Sequence, residues 1–97
     1  MDCYFVPPRQ FRILAAVADP VRWNILVLLH NQPGRTSYRE IISRFAVSPS
    51  VLSRHMRILE ESGLVIREKE GKHRVVVLAP GACAAIRAAL PACDGRC

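Results

Sequence analysis

The sequence predicts a mainly α-helical domain with a small β-hairpin and a surface for a partner subunit. Four segments with helix signals precede two short strand-like segments, and one further helical segment follows them. At 97 residues the chain fits one domain over residues 1–97, with an N-terminal arm at 1–7 and a cysteine-containing tail at 91–97. Because 51% of so short a chain is hydrophobic, we expect apolar surface that a partner subunit would cover.

The first two helices are predicted over residues 8–18 and 20–30. In the first, apolar residues recur at helical spacing at Phe11, Leu14, Ala15 and Ala18. Asp19 can then cap the second helix, and Pro20 suits its first turn. The second helix is mostly apolar, so we expect it to lie at the centre of the domain.

The third and fourth helices begin at strong capping signals. Ser37, with Glu40 three residues later, matches a capping box. The short helix that follows should turn three side chains inward, those of Ile41, Ile42 and Phe45. Ser48 followed by Pro49 marks the start of the fourth helix, which we expect to run to about residue 62 and to stop at Gly63.

A β-hairpin and a last helix complete the predicted fold. Residues 64–69 and 73–78 are predicted strands joined by a turn at 70–72. Residues 82–90 form an alanine-rich predicted helix that Pro91 ends. Four helices, a two-stranded wing and a C-terminal helix, with only a short turn between the third and fourth helices, are the layout of a winged helix-turn-helix.

The charge of the chain favours a polyanionic partner. Lys and Arg outnumber Asp and Glu by 14 to 8, which gives a net charge of +6. The apolar runs are far shorter than the roughly 20 residues that a membrane span needs, and the N-terminus lacks a signal-peptide pattern. We therefore expect a cytoplasmic protein with no membrane partner, whose cysteines are thiols rather than permanent disulfides.

The fourth helix has two chemically distinct faces. Its inner face is apolar, with Leu52, Met56 and Leu59 at helical spacing. Its outer face carries only cations and hydroxyls, at Ser50, Ser53, Arg54 and Arg57. Arginine forks bind guanine edges and phosphates, and hydroxyls and helix N-terminal amides suit phosphates. The face could be an ordinary solvated helix surface, but the preceding helix and tight turn favour DNA binding.

The hairpin that follows is also basic. Besides Arg67, it carries four residues that could contact DNA, namely Lys69, Lys72, His73 and Arg74. A charged hairpin is often only a solvated sheet edge. Here it follows the reading helix, where a wing would reach the flanking DNA backbone.

Three segments of the chain resemble the ArsR/SmtB repressors. They are Ala-Asp-Pro-Val-Arg at 18–22, the run at 47–65 that contains Ser-Arg-His, and the hairpin at 67–76. The resemblance covers roughly residues 10–80. It implies a homodimer, built from the first and last helices, that binds a palindromic operator in double-stranded DNA and releases it when an effector binds. It maps the DNA-reading positions onto Ser48, Ser50, Ser53, Arg54 and Arg57.

The common metal sites of that family do not transfer to this chain. Members that sense arsenic or lead carry a cysteine pair near the start of the third helix, where this chain has Thr-Ser-Tyr-Arg at 36–39. Members that sense zinc or nickel carry Asp and His ligands on the last helix, where only Cys83 could ligate a metal. The resemblance therefore leaves the effector open.

Four cysteines lie outside the DNA-reading segments, at Cys3, Cys83, Cys93 and Cys97. In a dimer joined near the chain ends, two or three thiolates could converge on a thiophilic ion such as trivalent arsenic. They could instead form a reversible disulfide. Alternatively, Cys83 is a small packing residue and the tail thiols are incidental. For a thiol effector we expect Cys93 and Cys97 first, then Cys83 and Cys3.

Two other functions compete with DNA binding. An enzyme is disfavoured, because the sequence lacks a Gly-rich phosphate loop, paired carboxylates in an apolar setting, and a His near a Cys or Ser with an orienting acid. A winged helix that binds proteins without sensing an effector is the alternative, and the basic reading helix argues against it. Outside the DNA-reading set, we expect His55 to be a hydrogen-bonded packing residue and Trp23 to be a core or dimer contact.

Overall fold

A computed structural model describes residues 8–32 and 34–90. Its elements, in chain order, are α1 (Pro8–Val17), α2 (Pro20–Asn31), β1 (Thr36–Ser37), α3 (Tyr38–Phe45), α4 (Pro49–Glu61), β2 (Val65–Glu70), β3 (His73–Leu78) and α5 (Ala82–Ala89). The predicted mainly helical fold with a hairpin wing is confirmed, and each predicted boundary lies within one residue of the observed one. The N-terminal arm and the tail, with Cys3, Cys93 and Cys97, lie outside the described residues.

The predicted capping residues start their helices. The Asp19 carboxylate accepts a hydrogen bond from the Arg22 amide at 3.0 Å, and the Ser37 hydroxyl accepts one from Glu40 at 3.2 Å. The Ser48 hydroxyl accepts one from an amide in the first turn of α4 at 3.3 Å. Each bond satisfies a donor that the helix itself leaves unpaired, so the start of each helix is set locally.

The turn between α3 and α4 depends on one unusual backbone conformation. Ala46 ends α3 with φ 51° and ψ 41°, the left-handed region that glycine adopts more readily. This reversal lets α4 begin three residues later, at Pro49. The far end of α4 stops at Gly63, whose φ of +80° confirms the predicted left-handed terminator.

The sheet has three strands, one more than the hairpin that the sequence predicts. Strand order is β1-β3-β2 and all pairs are antiparallel. In β1, Thr36 pairs with Val76 of β3, and this pairing attaches the start of α3 to the base of the wing. Because β1 is only two residues long, it shows no alternation from which it could be predicted.

The core lies between α2, α3, α4 and the inner face of the sheet. The inner stripe of α4 is fully buried, as predicted, and Ile41 of α3 is buried against it. Ile42 and Phe45 are partly buried against the same cluster. The largest fully buried side chains are Ile25, Ile41, Leu52, Met56, Leu59, Leu64 and Val76.

Of the four apolar residues that recur at helical spacing over residues 8–18, only Leu14 packs against the core. Ile13 and Ala16 are the buried residues of α1, whereas Phe11 is 59% exposed and Ala15 is exposed. Residues 13–17 are all apolar, so spacing alone could not select the inward face. Trp23 of α2 is 45% exposed, which rules out a core position in the single chain and leaves the dimer contact as a prediction.

No single helix within residues 8–32 and 34–90 is long and apolar enough to cross a membrane. Helices α1 and α2 reach the required length only as a pair bent by 90°.

Candidate nucleic-acid interface

The outer face of α4 is exposed as predicted. Ser50, Arg54 and Arg57 are exposed and Ser53 is half-buried. Neither Arg54 nor Arg57 forms an ion pair with another described residue. Both guanidinium groups therefore keep all their donors available to a ligand.

The first turn of α4 concentrates hydrogen-bonding groups. Ser48 is exposed, and its hydroxyl lies 3.3 Å from the hydroxyl of Ser50. Two hydroxyls and the first amides of the helix thus meet at the positive end of the helix dipole. This arrangement suits an anion such as a DNA phosphate, but a serine pair at a helix start is also a common capping arrangement.

A groove joins α4 to the hairpin. It has a volume of about 330 Å³ and lies between α3, the start of α4 and the hairpin. None of the described residues that line it is acidic; they are Ser37, Tyr38, Arg39, Ile42, Pro49, Ser53, Lys72, His73 and Arg74. The structure therefore brings three of the four predicted wing residues together with α4.

Arg39 is a residue of this groove that the sequence prediction missed. It is exposed on the first turn of α3 and forms no ion pair with a described residue. Its only sequence signal is its place just after the Ser37 cap, on the helix that precedes α4. The groove gives it the same surroundings as the wing cations Lys72 and Arg74.

The acidic residues of the hairpin are paired with arginines. Arg35 donates to Glu68 at 3.0 Å and to Glu70 at 2.6 Å, and these two bonds raise the pKa of the Arg35 guanidinium. Arg67 donates to Glu60 of α4 at 2.9 Å, and this bond raises the pKa of the Arg67 guanidinium. Such exposed pairs contribute little to folding, because water screens their charges. Because Glu68 and Glu70 are already paired with Arg35, they do not offset the positive charges of Lys69, Lys72 and Arg74 on the same hairpin.

Two further wing cations are Lys69 and Arg74. Both are exposed, and neither forms an ion pair with a described residue. They are opposite each other in the β2–β3 register. This pair lies on the face of the hairpin that continues from the buried Val65 and Val76.

Arg22 fixes the position of α4 against the first two helices. Its Nε donates to the Ala16 carbonyl at 2.7 Å and its Nη2 to the Ala15 carbonyl at 3.3 Å. Its Nη1 lies 3.1 Å from Nδ1 of His55 on α4. Since a guanidinium only donates, Nδ1 of His55 is the acceptor. The prediction that His55 is a hydrogen-bonded packing residue is confirmed.

The same arginine stabilises the charged form of Asp19. The hydrogen bond from the Arg22 amide lowers the pKa of the Asp19 carboxyl, and the nearby guanidinium charge lowers it further. Asp19 therefore remains an acceptor to lower pH than an isolated aspartate would.

Among the predicted effector cysteines, only Cys83 lies within the described residues. It is exposed on α5, and its Sγ is 3.5 Å from Nδ1 of His30 on α2. This contact joins residues that are 53 apart in the chain, so the sequence did not indicate it. No described acidic residue bonds to His30, and the described residues contain no group of three or more His, Cys, Asp and Glu placed to hold a metal ion.

Comparisons with known proteins agree with this geometry. The family model described as "Bacterial regulatory protein, arsR family" matches residues 19–67, from the cap of α2 into β2. No curated protein matches the chain significantly.

Several solved structures are similar to the whole fold. HlyU from Vibrio cholerae N16961 is 31% identical over 82% of this chain and 86% of its own, with a TM-score of 0.71. A possible transcriptional regulator for arsenical resistance is 34% identical over 78% of this chain and 77% of its own, with a TM-score of 0.71. The homodimeric winged helix-turn-helix domain of Mb0332 from Mycobacterium bovis is 21% identical over 82% of this chain and 73% of its own, with a TM-score of 0.72, and shows the fold alone.

Proposed function

Because this chain belongs to the arsR family of bacterial regulatory proteins, we propose that it is a transcriptional repressor that reads duplex DNA with α4. The observation that carries this proposal is the outer surface of α4 and the adjoining groove, where unpaired cations and hydroxyls meet and no described lining residue is acidic. DNA carries a phosphate charge along both edges of its major groove, and a helix fits into that groove.

The residues of the interface have different tasks in this proposal. Arg54 and Arg57 project from α4 and contact base edges or phosphates, together with Ser50 and Ser53. Ser48 and the first amides of α4 bind a backbone phosphate. The wing cations Lys69, Lys72, His73 and Arg74 contact the flanking backbone, so they add affinity for any sequence.

The direct test is selection of duplexes from a random pool by the full-length chain. A palindromic consensus should be enriched, with half-sites about one helical turn apart. Fragments recovered without any sequence preference would contradict base reading by α4. Failure to retain duplex DNA at low salt would favour the alternative, a winged helix that binds proteins.

We also propose that the chain acts as one winged-helix domain that forms a homodimer through α1 and α5. Phe11 of α1 is 59% exposed and Leu90, just after α5, is 53% exposed. The two helices pack together, with Gln10 donating to the Ala88 carbonyl at 3.5 Å. Small exposed residues on α5 permit a close approach of a partner helix; they are Cys83, Ala84 and Ala88. The similar Mb0332 domain is described as homodimeric.

The dimer is tested by sedimentation at micromolar concentration. A mass of two chains is expected, and substitution of Phe11 by Glu should shift the equilibrium toward the 10.8 kDa monomer. An intact dimer in that variant would place the interface elsewhere.

As a regulator that binds DNA, the protein would act in the bacterial cytoplasm, and its proposed role includes no catalysed reaction.

For the effector, we propose thiol chemistry at the cysteines near the chain ends. One similar protein is described as a possible regulator for arsenical resistance, so trivalent arsenic is the first ligand to test, followed by other thiophilic ions and oxidants. Cys83 is exposed on α5, within the proposed dimer surface, where a bound ion or a disulfide would act on the spacing of the two reading helices. Cys93, Cys97 and Cys3 are the other candidate thiols.

The thiol proposal is tested by DNA release with arsenite, zinc, cadmium or peroxide. The wild type should release DNA, and a variant with Cys93→Ser and Cys97→Ser should not. Full release by that variant would exclude the tail thiols and direct the test to Cys83→Ser. No response of the wild type to any of these agents would leave the cysteines as packing residues.

A further inference from the structure

His55 is a half-buried residue of α4 that contacts α2. Its Nδ1 lies 3.1 Å from Nη1 of Arg22. A guanidinium has only donors, so Nδ1 accepts this bond and carries no proton. The contact between the two helices therefore requires the neutral form of His55.

Arg22 is held in place on its other side. Its Nε donates to the Ala16 carbonyl at 2.7 Å, and its Nη2 donates to the Ala15 carbonyl at 3.3 Å. Both carbonyls belong to α1. One ring nitrogen thus bonds α4 to a cation whose position α1 and α2 determine.

Uptake of a proton by His55 would change this contact in two ways. Nδ1 would become a donor, so Arg22 would lose its acceptor. In addition, two cations would lie 3.1 Å apart, and like charges at that distance repel each other. Histidine is the side chain that ordinarily changes its charge between about pH 5 and pH 8, so mild acid acts on this contact.

Asp19 offers the protonated ring another partner. It is the cap of α2, three residues before Arg22. The pKa of its carboxyl is lowered mainly by the bond from the Arg22 amide, then by the charges of Arg22 and His55. A protonated His55 would therefore be repelled by Arg22 and attracted by Asp19.

The other charged groups near this contact do not bond to His55. Arg12 of α1 and Glu61 of α4 share a cavity with Arg22, and Arg54 precedes His55 on α4 and is exposed. Helix α4 also packs against α3 and β2, and within residues 8–32 and 34–90 no charged side chain of either element bonds to His55. The response of the contact to pH therefore depends on His55, Arg22 and Asp19.

We propose that His55 is a positioning residue for DNA recognition, and that its protonation weakens DNA binding in mild acid. Neutral His55 holds α4, and with it Arg54, in the position that reads DNA. The protonated ring leaves Arg22, so α4 loses this attachment to the first two helices. The inference rests on the proposed function for its effect on DNA, whereas the release of Arg22 is a property of the free protein.

The first test compares DNA binding by the full-length wild type and His55→Asn at pH 7.5 and pH 5.5. Asparagine places Oδ1 where the ring has Nδ1, so it can accept the Arg22 bond, and it does not titrate. Affinity for the duplex that the wild type selects is measured by fluorescence anisotropy at one salt concentration. On acidification, the dissociation constant of the wild type should rise roughly fivefold relative to that of the variant, the effect of one lost hydrogen bond.

The other two histidines are controlled separately. His73 of the wing is present in both proteins, so its effect on phosphate binding cancels in the ratio of their affinities. His30 lies on α2 and contacts Cys83, so His30→Asn should keep the pH dependence of the wild type. Equal pH dependence in the wild type and His55→Asn would overturn the proposal.

A second measurement needs no DNA. Exchange of the Arg22 guanidinium protons with water is followed by NMR in the free wild type and in free His55→Asn. The two proteins should exchange these protons at about the same rate at pH 7.5. At pH 5.5 exchange should be faster in the wild type, because protonated His55 no longer accepts from Arg22.

The two measurements separate the failure of this inference from the failure of the proposed function. Equal exchange at both pH values would overturn the release of Arg22, even in a protein that binds DNA. Faster exchange in a wild type that binds no duplex DNA at either pH would support the release of Arg22 and contradict the proposed function.

Discussion

Replacing Arg22 by Met should destabilise the fold much more than the same change at an exposed arginine of α4. The substitution keeps much of the apolar stem and removes the guanidinium. Two of its side-chain bonds are partly buried, those to the Ala16 carbonyl at 2.7 Å and to His55 at 3.1 Å. The third, to the Ala15 carbonyl, is exposed, so water can replace it. At about 1–1.5 kcal/mol for each partly buried bond, Arg22→Met should lose about 2–3 kcal/mol of unfolding free energy.

Urea unfolding followed by circular dichroism measures this loss. Because a dimer links stability to concentration, variants are compared at one protein concentration. Arg54→Met is the matched control, since Arg54 is exposed and has no ion pair with a described residue, and it should change stability by no more than about 0.5 kcal/mol. Equal losses in the two variants would refute the reasoning that Arg22 holds α4 against the first two helices.

Three further changes test local features of the fold, each by urea unfolding. Ala46→Gly relieves the left-handed conformation at φ 51° and should raise the unfolding free energy by about 0.5–1 kcal/mol; a loss would mean that the turn is not strained. Tyr38→Phe removes a hydroxyl that bonds to no other described residue, so it should leave stability unchanged or raised by up to about 1 kcal/mol, whereas a loss would reveal a bonded hydroxyl. Asp19→Ala should lose about 1 kcal/mol at pH 7. The folded state lowers the pKa of Asp19 below 3.8, so its stabilisation is present above that value and is lost as pH falls below it. The stabilities of the variant and the wild type should therefore converge as the pH falls below 3.8, and a constant difference would exclude the charge of Asp19 as the cause.

Local signals account for the parts of the fold that the sequence predicted well. Asp19 with Pro20, and Ser48 with Pro49, combine a side-chain acceptor with a residue that needs no amide donor, so they mark helix starts without tertiary information. The inner stripe of α4 was equally clear, because its apolar residues are separated by polar ones. Helix α1 lacks that contrast over residues 13–17, and its inward face depends on packing against α5.

The outer face of α4 could be predicted from the same local pattern, but the long-range contacts around α4 could not. Arg22 and His55 are 33 residues apart, and Cys83 and His30 are 53 apart. Such contacts depend on how helices cross, which the spacing of residues in one segment does not determine. Arg67 shows the same limit. The fold pairs it with Glu60 of α4, seven residues earlier in the chain and in a different element.

The central claim, that α4 reads duplex DNA, is tested most directly by comparing Arg54→Ala with Arg44→Ala. Arg44 is an exposed arginine of α3 that pairs with Glu40 and does not line the groove beside α4, so it controls for the loss of one positive charge. Binding of the selected duplex is measured by fluorescence anisotropy over a series of salt concentrations. Arg54→Ala should weaken binding by about 1–3 kcal/mol and relax the base preference, while Arg44→Ala should retain both affinity and preference. Unchanged affinity and preference in Arg54→Ala would contradict the assignment of α4 as the reading helix.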